Sequence, residues 1–308
     1  MLYKNKMPQT RSGILLEDCL EIVWLRKLFP DINFIKMTNS LPISCIKHYK
    51  DSGAIPLIIY SDISMLLFAK LTTFFSKHMV PFEVIHLSDE YGRDNLSWYN
   101  LKFCRKIYRN YVAPREFEEF PQKEKVWIFP LGPLVMAQNS HETLPTISER
   151  PYAWSFAGRT IATQRIIWIE RLSQYTPYNL YLFTEFLDKN MKSSDAYIET
   201  LKTAKFVPIL AGANLETYRL YEALEFGAIP LYIRQADDDI YFRYLQILFP
   251  DILDISEPSS IFNLNIEELE LYRQKLLICW NKIKSAPFIS LTDLENTVRT
   301  KSIVGHVN

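Results

Sequence analysis

The sequence predicts an α/β protein of two domains, each built on a parallel sheet. In both halves, short apolar runs alternate with amphipathic stretches, as they do in βαβ units. Between the halves, Ala137–Pro151 reads "AQNSHETLPTISERP", which is polar and has no period. A chain of 308 residues is long enough for about two domains. We therefore expect a first domain over residues 1–137, a linker over 138–151 and a second domain over 152–308.

The first half contains the following predicted elements. Apolar residues from Leu15 to Phe29 recur at steps of three and four, which predicts a helix that ends at Pro30. Strand-like runs follow, with helical or loop material between them, and they read "INFIKM", "IPLIIY" and "FEVIHL". The half closes with "KFCRKIYRNYV" and "KVWIFPLG".

The second half repeats the alternation. Its predicted strands are "AWSFAG", "NLYLFT", "KFVPIL" and "AIPLYI", and its predicted helices are "TQRIIWIERLSQY", residues 195–203 and "LETYRLYEALEF". The last fifty residues are predicted to be mainly helical, most clearly in "IEELELYRQKLLICWNKI". Two such domains would leave a cleft between them, and ligand-binding residues are expected beyond the carboxyl ends of the strands.

Composition excludes several classes of function. Lys plus Arg equals Asp plus Glu, at 35 each, so no net field attracts nucleic acid or an anionic membrane. The four cysteines are far apart and match no zinc or redox spacing, which indicates free thiols in a reducing compartment. No signal peptide is recognisable, and the most apolar stretch is interrupted by Asp62 and Lys70. We expect a soluble protein without a membrane span.

The stretch "GANLETYRLYEALEFGAIPLYI" carries the first candidate site. A turn with Gly212 and Asn214 allows close backbone approach, and the helix that begins near Leu215 presents free amides to an anion. Glu216, Arg219 and Glu222 then recur three residues apart, which places them close to one face of the predicted helix.

A cation with free amides suits a diphosphate, and a carboxylate suits the hydroxyls of a ribose. The alternative is a surface helix held by salt bridges. Gly227 fits the C-terminal cap of this helix in either case.

The stretch "SFAGRTIATQR" carries the second candidate site. A predicted strand ends at Gly158, Arg159 stands at its tip, and Arg165 lies on the next helix. Either arginine could neutralise the charge that develops on a leaving phosphate. The alternative is an arginine that ties the linker to the domain.

The stretch "VIHLSDEYGRD" carries a third candidate site, in the first half. A predicted strand delivers His86, Ser88, Asp89 and Glu90 to a loop. A carboxylate there could act as a general base toward a hydroxyl, and so could His86. The alternatives are a packed histidine inside the strand and carboxylates that cap the next helix.

A metal site is not predicted. The triplet Asp237–Asp239 in "QADDDIYF" could resemble the Asp-x-Asp of metal-dependent glycosyltransferases, but acidic residues also favour a helix N-terminus. We favour capping. The five histidines are scattered, which gives no metal-ligand spacing.

Three of these segments, "HLSDE", "SFAGRTIATQR" and "KFVPILAGANLETYRLYEALEFGAIPLYI", resemble the exostosin family of glycosyltransferases. The likeness is greatest to small members encoded by large algal viruses, and it spans about the middle two thirds of the chain. It implies a GT-B fold, in which two Rossmann-like domains with parallel sheets face each other across a cleft. The nucleotide-sugar donor is then expected on the second domain and the acceptor on the first. The expected location is the cytoplasm, of the host cell if the protein is viral.

The resemblance also assigns roles to residues. It implies that Arg159 and Arg219 hold the diphosphate, that Glu222 holds the ribose, and that the loop of residues 212–216 lies against the donor. The predicted donor-binding residues are therefore Gly158, Arg159, Arg165, Gly212, Asn214, Glu216, Arg219 and Glu222.

The implied reaction is an inverting transfer from a nucleoside-diphosphate sugar to a glycan hydroxyl. A UDP-sugar such as UDP-xylose is the favoured donor, and neither a cofactor nor an essential divalent metal is expected. Asp89 is the predicted base, with Glu90 as the alternative. A catalytically silent carbohydrate-binding or scaffold protein of the same fold is the competing function, and a metal-dependent transferase using Asp237–Asp239 is a third. The sequence leaves the sugar, the acceptor and the oligomeric state open.

Overall fold

The chain divides into two compact units, Met1–Pro130 with Pro287–Asn308 (unit 1) and Leu131–Ala286 (unit 2). Among the described helices, none combines the length and the apolar character that crossing a bilayer requires. The computed structural model describes residues 11–16, 18–37, 49–61, 65–87, 89, 93–111, 122–137, 143–159, 163–183, 194–212, 214–233, 240–252 and 257–304.

Unit 1 is built on a seven-stranded sheet of order β11-β6-β5-β4-β3-β1-β2. Every strand pair is parallel except that of β11 with β6. The described elements are β1 (Arg11–Leu15), α1 (Ile22–Leu28), β2 (Ile32–Lys36), β3 (Leu57–Tyr60), α2 (Met65–Lys77), β4 (Phe82–His86), β5 (Cys104–Arg109), β6 (Val126–Ile128), β11 (Ile289–Ser290) and α9 (Leu291–Val304).

A strand stands where the apolar pattern predicts the start of a helix. The helix predicted from Leu15 to Phe29 is wrong over its first part, because β1 ends at Leu15 and α1 begins only at Ile22. β1 pairs with both β2 and β3 in the interior of the sheet. A side chain at Gly13 would overlap the ring of Phe34, so the glycine lets the neighbouring strand pack against β1.

The C-terminal segment belongs to the first unit. Its short strand β11 pairs antiparallel with β6, and the ring of Phe288 lies 5.0 Å from that of Tyr108, centroid to centroid. Unit 2 therefore ends at Ala286, whereas the sequence predicts a second domain that runs to the C-terminus. Unit 1 ends its main span at Pro130, before the predicted boundary at residue 137. The pairing of β11 with β6 accounts for the difference at the C-terminal end, because a segment of two residues gives no strand pattern in the sequence.

Unit 2 is built on a four-stranded sheet of order β10-β9-β7-β8, in which every pair is parallel. Both units thus confirm the predicted α/β class with parallel sheets, and the GT-B arrangement stays a prediction. The described elements are β7 (Tyr152–Arg159), α3 (Thr163–Leu172), β8 (Tyr178–Phe183), α4 (Ser194–Thr203), β9 (Ala204–Ile209), α5 (Tyr218–Glu225), β10 (Ile229–Tyr232), α6 (Ile240–Leu248), α7 (Ser259–Phe262) and α8 (Ile266–Ser285).

The strand order of unit 2 creates a topological switch point between β7 and β9. From β7 the chain continues to β8 on one side, and β9 lies on the other side of β7. In open parallel sheets, ligands bind beyond the carboxyl ends of the strands at such a point. Those ends are Arg159 of β7 and Ile209 of β9.

The helix α5 ends at a glycine cap, as the sequence predicts. Gly227 has a φ of 72°, in the left-handed region. Its amide donates to the carbonyl of Leu224 at 3.2 Å, and the amide of Ala228 donates to that of Ala223 at 2.8 Å. These are the two hydrogen bonds of a Schellman motif, and they end the helix immediately before β10.

Candidate functional site

Arg165 ties together the carboxyl ends of β7 and β9. From α3, its guanidinium donates to the carbonyl oxygens of Ala211 at 2.8 Å, Arg159 at 2.8 Å and Leu210 at 3.3 Å. Each guanidinium nitrogen is therefore engaged with the backbone. The side chain braces the switch point, and the donor contact predicted for it stays a prediction.

Arg219 lies against the end of β7, beside Gly158. Its Nη2 donates to the carbonyl of Ala157 at 2.6 Å, and its guanidinium carbon stands 4.3 Å from the ring centroid of Phe156. A Cβ on Gly158 would lie 2.7 Å from Nη2 and 2.8 Å from the same phenyl ring. Glycine at position 158 is thus what allows the guanidinium of α5 to approach the strand.

Arg159, Arg165 and Arg219 together form what we call the arginine cluster. Burial, and then the charges of Arg219 and Arg159, lower the pKa of Arg165 to about 10. The Nε atoms of Arg159 and Arg219 are buried, and neither donates to an acceptor among the described residues. In the described part of the chain, no ion pair joins the cluster to a carboxylate. The cluster concentrates positive charge at the switch point, where an anion would be stabilised.

The turn after β9 is built by its own side chains. The amide of Gly212 donates to the carbonyl of Asn214 at 3.0 Å, and Oδ1 of Asn214 accepts from the amide of Glu216 at 2.9 Å. The helix α5 begins at Tyr218 instead of near Leu215. Glu216 therefore precedes the helix, and its predicted place on one helical face with Arg219 is wrong.

Two glutamates of this segment, Glu216 and Glu222, are buried and hold the backbone that enters unit 2. Oε1 of Glu216 accepts from the amide of Leu131 at 2.8 Å and from the hydroxyl of Tyr221 at 2.5 Å. Glu222 accepts from the amide of Leu134 at 3.3 Å. Both carboxylates thus connect α5 and the turn before it to the first residues of the unit.

Glu222 also accepts from the hydroxyl of Tyr197 at 2.5 Å. Burial raises the pKa of Glu222, although the hydrogen bond from Tyr197 and the charge of Arg219 act in the opposite direction. The contact with a ribose stays a prediction for this residue. Any such contact has to use a lone pair that these donors leave available.

The substitution Gly158→Ala is expected to destabilise unit 2 by about 1–3 kcal/mol, because an added methyl must displace a guanidinium and a phenyl ring in a close-packed strand. Gly212→Ala serves as the matched variant. Its Cβ would meet only Nη2 of Arg165 at close range, at 3.0 Å, so we expect a loss below about 1 kcal/mol. Urea unfolding of both variants measures the difference. Equal midpoints for Gly158→Ala and the wild type would contradict the packing argument.

In unit 1, a second cluster of polar side chains surrounds the carboxyl ends of β4 and β5. His86 and Arg109 are register partners there. Both side chains are fully buried. Nη1 of Arg109 lies 2.9 Å from Nδ1 of His86, and the hydroxyl of Tyr99 lies 2.7 Å from the same nitrogen. Nε2 of His86 lies 2.8 Å from Oδ2 of Asp94. Burial, and then the charge of Arg109, lower the pKa of His86, so the imidazole is neutral.

Asp89, the predicted base, is enclosed by hydrogen bonds. Its Oδ2 accepts from Nη2 of Arg109 at 2.8 Å. Its Oδ1 accepts from the amides of Arg93 at 2.7 Å and Asp94 at 3.2 Å. Burial alone would raise the pKa of Asp89, but the charge and hydrogen bonds of Arg109 hold it below its ordinary value. The assignment of Asp89 as the base stays a prediction.

Three side chains around the ends of β4 and β5 lie close enough together to be considered as ligands of a metal ion. Ligand atoms of His86, Asp89 and Asp94 lie within 4.8 Å of one another. Arg109 already supplies a positive charge to two of them, so we assign no metal site here. Glu90 and the acidic triplet Asp237–Asp239 lie outside the described residues.

Two residues of this group were not singled out from the sequence as site residues. Asp94 is the last letter of "VIHLSDEYGRD", where only the earlier carboxylates are singled out. Arg109 lies within the predicted run "KFCRKIYRNYV" and ends β5. The sequence does contain a signal for Arg109, because it stands at the end of a strand that neighbours "FEVIHL". The carboxyl ends of adjacent parallel strands meet at one edge of a sheet, so residues at these two ends are expected to lie close together.

A parallel α/β unit that gathers guanidinium groups at its switch point has the charge and the position that suit an anionic ligand. Residues 136–239 match the family model described as the RXYLT1 C-terminal domain. The match covers about a third of the chain and includes the arginine cluster. No curated protein matches the chain. The family match supports a glycosyltransferase of the exostosin-like kind, and hence a sugar donor and an acceptor as its ligands.

Proposed function

We propose that this protein transfers a sugar from a nucleoside-diphosphate sugar to a hydroxyl of a glycan, with inversion at the anomeric carbon. The donor diphosphate is bound by unit 2 and the reaction needs no divalent metal. A UDP-sugar is the favoured donor, with UDP-xylose as the first candidate. The family match to residues 136–239 supports the class of reaction.

The arginine cluster is the observation that carries the proposal. Its guanidinium groups repel one another at the switch point of a parallel sheet, and two of their Nε atoms are buried without an acceptor in the part of the chain that the structure describes. A diphosphate offers several anionic oxygens, which guanidinium groups bind through charge-assisted hydrogen bonds. A diphosphate bound at the cluster would offset the repulsion among the arginines.

The chemistry assigns different tasks to the members of the cluster. The acceptor oxygen attacks the anomeric carbon as the bond from that carbon to the phosphate oxygen breaks, and the diphosphate leaves with the electron pair. Arg159 and Arg219 stabilise the charge that develops on it. Arg165 keeps the two strand ends in register through its carbonyl contacts. Glu222, one turn after Arg219 on α5, is the proposed ribose contact.

Calorimetric titration with UDP tests the donor site. We expect Arg159→Met and Arg219→Met each to raise the Kd by about 10–100-fold, since a hydrogen bond to a charged group contributes about 1.5–3 kcal/mol. Arg171→Met is the matched control. It removes a half-exposed arginine from the same helix as Arg165, and we expect less than a twofold change. An unchanged Kd for UDP in both cluster variants would contradict the assignment of Arg159 and Arg219 to the donor site.

A thermal-shift screen of nucleotide sugars then identifies the donor, because a ligand that binds only the folded state raises the midpoint of unfolding. Glycan binding without any response to a nucleotide sugar would favour the alternative of a catalytically silent carbohydrate-binding protein. Turnover that is lost with EDTA and restored by Mn²⁺ would favour the metal-dependent alternative at Asp237–Asp239.

A further inference from the structure

The polar side chains that contact His86 in unit 1 fix the tautomer of its imidazole. Arg109 is a donor at every guanidinium nitrogen, so the Nδ1 of His86 that it contacts at 2.9 Å has to be the acceptor. The proton of the neutral imidazole is then on Nε2, which donates to Oδ2 of Asp94 at 2.8 Å. A buried cation thereby holds the carboxylate of Asp94 in one position through the imidazole.

Asp89 fixes the backbone of Asp94, whereas His86 fixes its carboxylate. Its Oδ1 accepts from the amides of Arg93 and Asp94, and its Oδ2 is bound to Arg109. Both oxygens of Asp89 are thus engaged in ordering the loop, and its side chain is only 3% exposed. This geometry fits a structural anion better than a group that exchanges protons with a substrate.

Asp94 differs from Asp89 in the features that proton transfer requires. Its side chain is 11% exposed, and among the described residues no hydrogen bond reaches its Oδ1. One oxygen is oriented by His86, and the side chain keeps an exposed fraction at the carboxyl edge of the sheet. A general base has to reach the proton it removes within hydrogen-bond distance, and only an accessible oxygen can do so.

We propose that Asp94 is the catalytic base that takes the proton of the acceptor hydroxyl, and that His86 is its positioning residue. This inference rests on the proposed glycosyl transfer. The acceptor proton moves to Oδ1 of Asp94 as the acceptor oxygen bonds to the anomeric carbon. The bond from that carbon to the phosphate oxygen breaks, and the nucleoside diphosphate leaves with the electron pair.

The charged surroundings of Asp94 support the assignment. Burial, and then the negative charge of Asp89, raise the pKa of Asp94, while the charge of Arg109 acts in the opposite direction. Among the described residues, the groups that face Asp94 are Asp89, Arg109, the neutral His86 and, behind the imidazole, the hydroxyl of Tyr99. A carboxylate with a raised pKa is a stronger base.

The test measures release of nucleoside diphosphate from the nucleotide sugar that binds most tightly in the donor screen, with p-nitrophenyl glycosides or water as acceptor. We expect Asp94→Asn to lower kcat by at least 100-fold, as loss of general base catalysis does, while the Kd for UDP stays within twofold. The acid limb of the kcat/KM profile should disappear with it. His86→Gln should lower kcat less and shift that limb, because Asp94 remains.

Asp31→Asn, which removes an exposed carboxylate from the same unit, is the matched control and should keep full turnover. If Asp94→Asn does not fold, Asp94→Ala with added formate replaces it, and recovery of turnover by formate supports the base. Turnover of Asp94→Asn within threefold of the wild type overturns the assignment, as does a failure of formate to restore Asp94→Ala. Absence of UDP binding or turnover by the wild type overturns the proposed function instead.

Discussion

Replacing Arg109 with methionine is expected to lower the free energy of unfolding of unit 1 by about 3–5 kcal/mol. The side chain is fully buried at the end of β5, 2.8 Å from Oδ2 of Asp89 and 2.9 Å from Nδ1 of His86. Methionine fills much of the same volume but leaves the carboxylate of Asp89 buried without the cation. A charge in the interior has lost its water, and the two backbone amides that remain to Asp89 do not replace the cation, which makes the loss large.

Arg105→Met is the control, since it removes an exposed arginine from the same strand and should cost less than about 0.5 kcal/mol. Urea unfolding gives the midpoints, and hydrogen exchange of peptides from β4 and β5 shows that the loss is in unit 1. The double variant Asp89→Asn with Arg109→Met should lose less than the sum of the single losses, because no lone charge remains. Equal stability of the Arg109 and Arg105 variants would contradict the buried ion pair.

The strands were predictable where burial on both faces makes them continuously apolar. "IPLIIY" and "FEVIHL" are such runs, and they form β3 and β4. β1 was not predictable in the same way, because "RSGIL" begins with polar residues and its apolar end merges with a helical period. The pairing of Ile289–Ser290 with β6 depends on residues more than 150 positions away in the sequence, which no local pattern contains.

The candidate site was predictable in position but not in orientation. Arg159 and Arg219 could be placed beyond strand ends from local sequence alone, and the structure brings both to the switch point. The direction of a side chain depends on distant partners instead. Glu216 binds the amide of Leu131, 85 positions earlier, and Asp89 binds Arg109, 20 positions later. Such hydrogen bonds decide whether a carboxylate faces a ligand or holds the backbone, and they arise only in the folded chain.

Replacing Arg150 with methionine is expected to destabilise unit 2 by at least about 3 kcal/mol. The side chain is 1% exposed, and it donates to the carbonyls of Pro145, Leu201, Ala204 and Phe226 at 2.8–3.2 Å. Two of these carbonyls, on Leu201 and Phe226, lie at the C-terminal ends of α4 and α5, where helices leave acceptors without intrahelical partners. Burial, and then the charge of Arg273, lower the pKa of Arg150 to about 10, so relief of that repulsion offsets a small part of the loss.

Lys282→Met is the control, because it removes an exposed cation from α8 in the same unit and should leave the midpoint unchanged within about 0.5 kcal/mol. Urea unfolding measures the loss. Hydrogen exchange should show faster exchange at the ends of α4 and α5 before the rest of unit 2 responds, since those carbonyls lose their donor. Arg219 of the arginine cluster extends from α5, so the Kd for UDP should also rise in Arg150→Met under conditions where the unit is still folded. An Arg150 variant as stable as the Lys282 variant would show that water replaces the guanidinium at these carbonyls without loss.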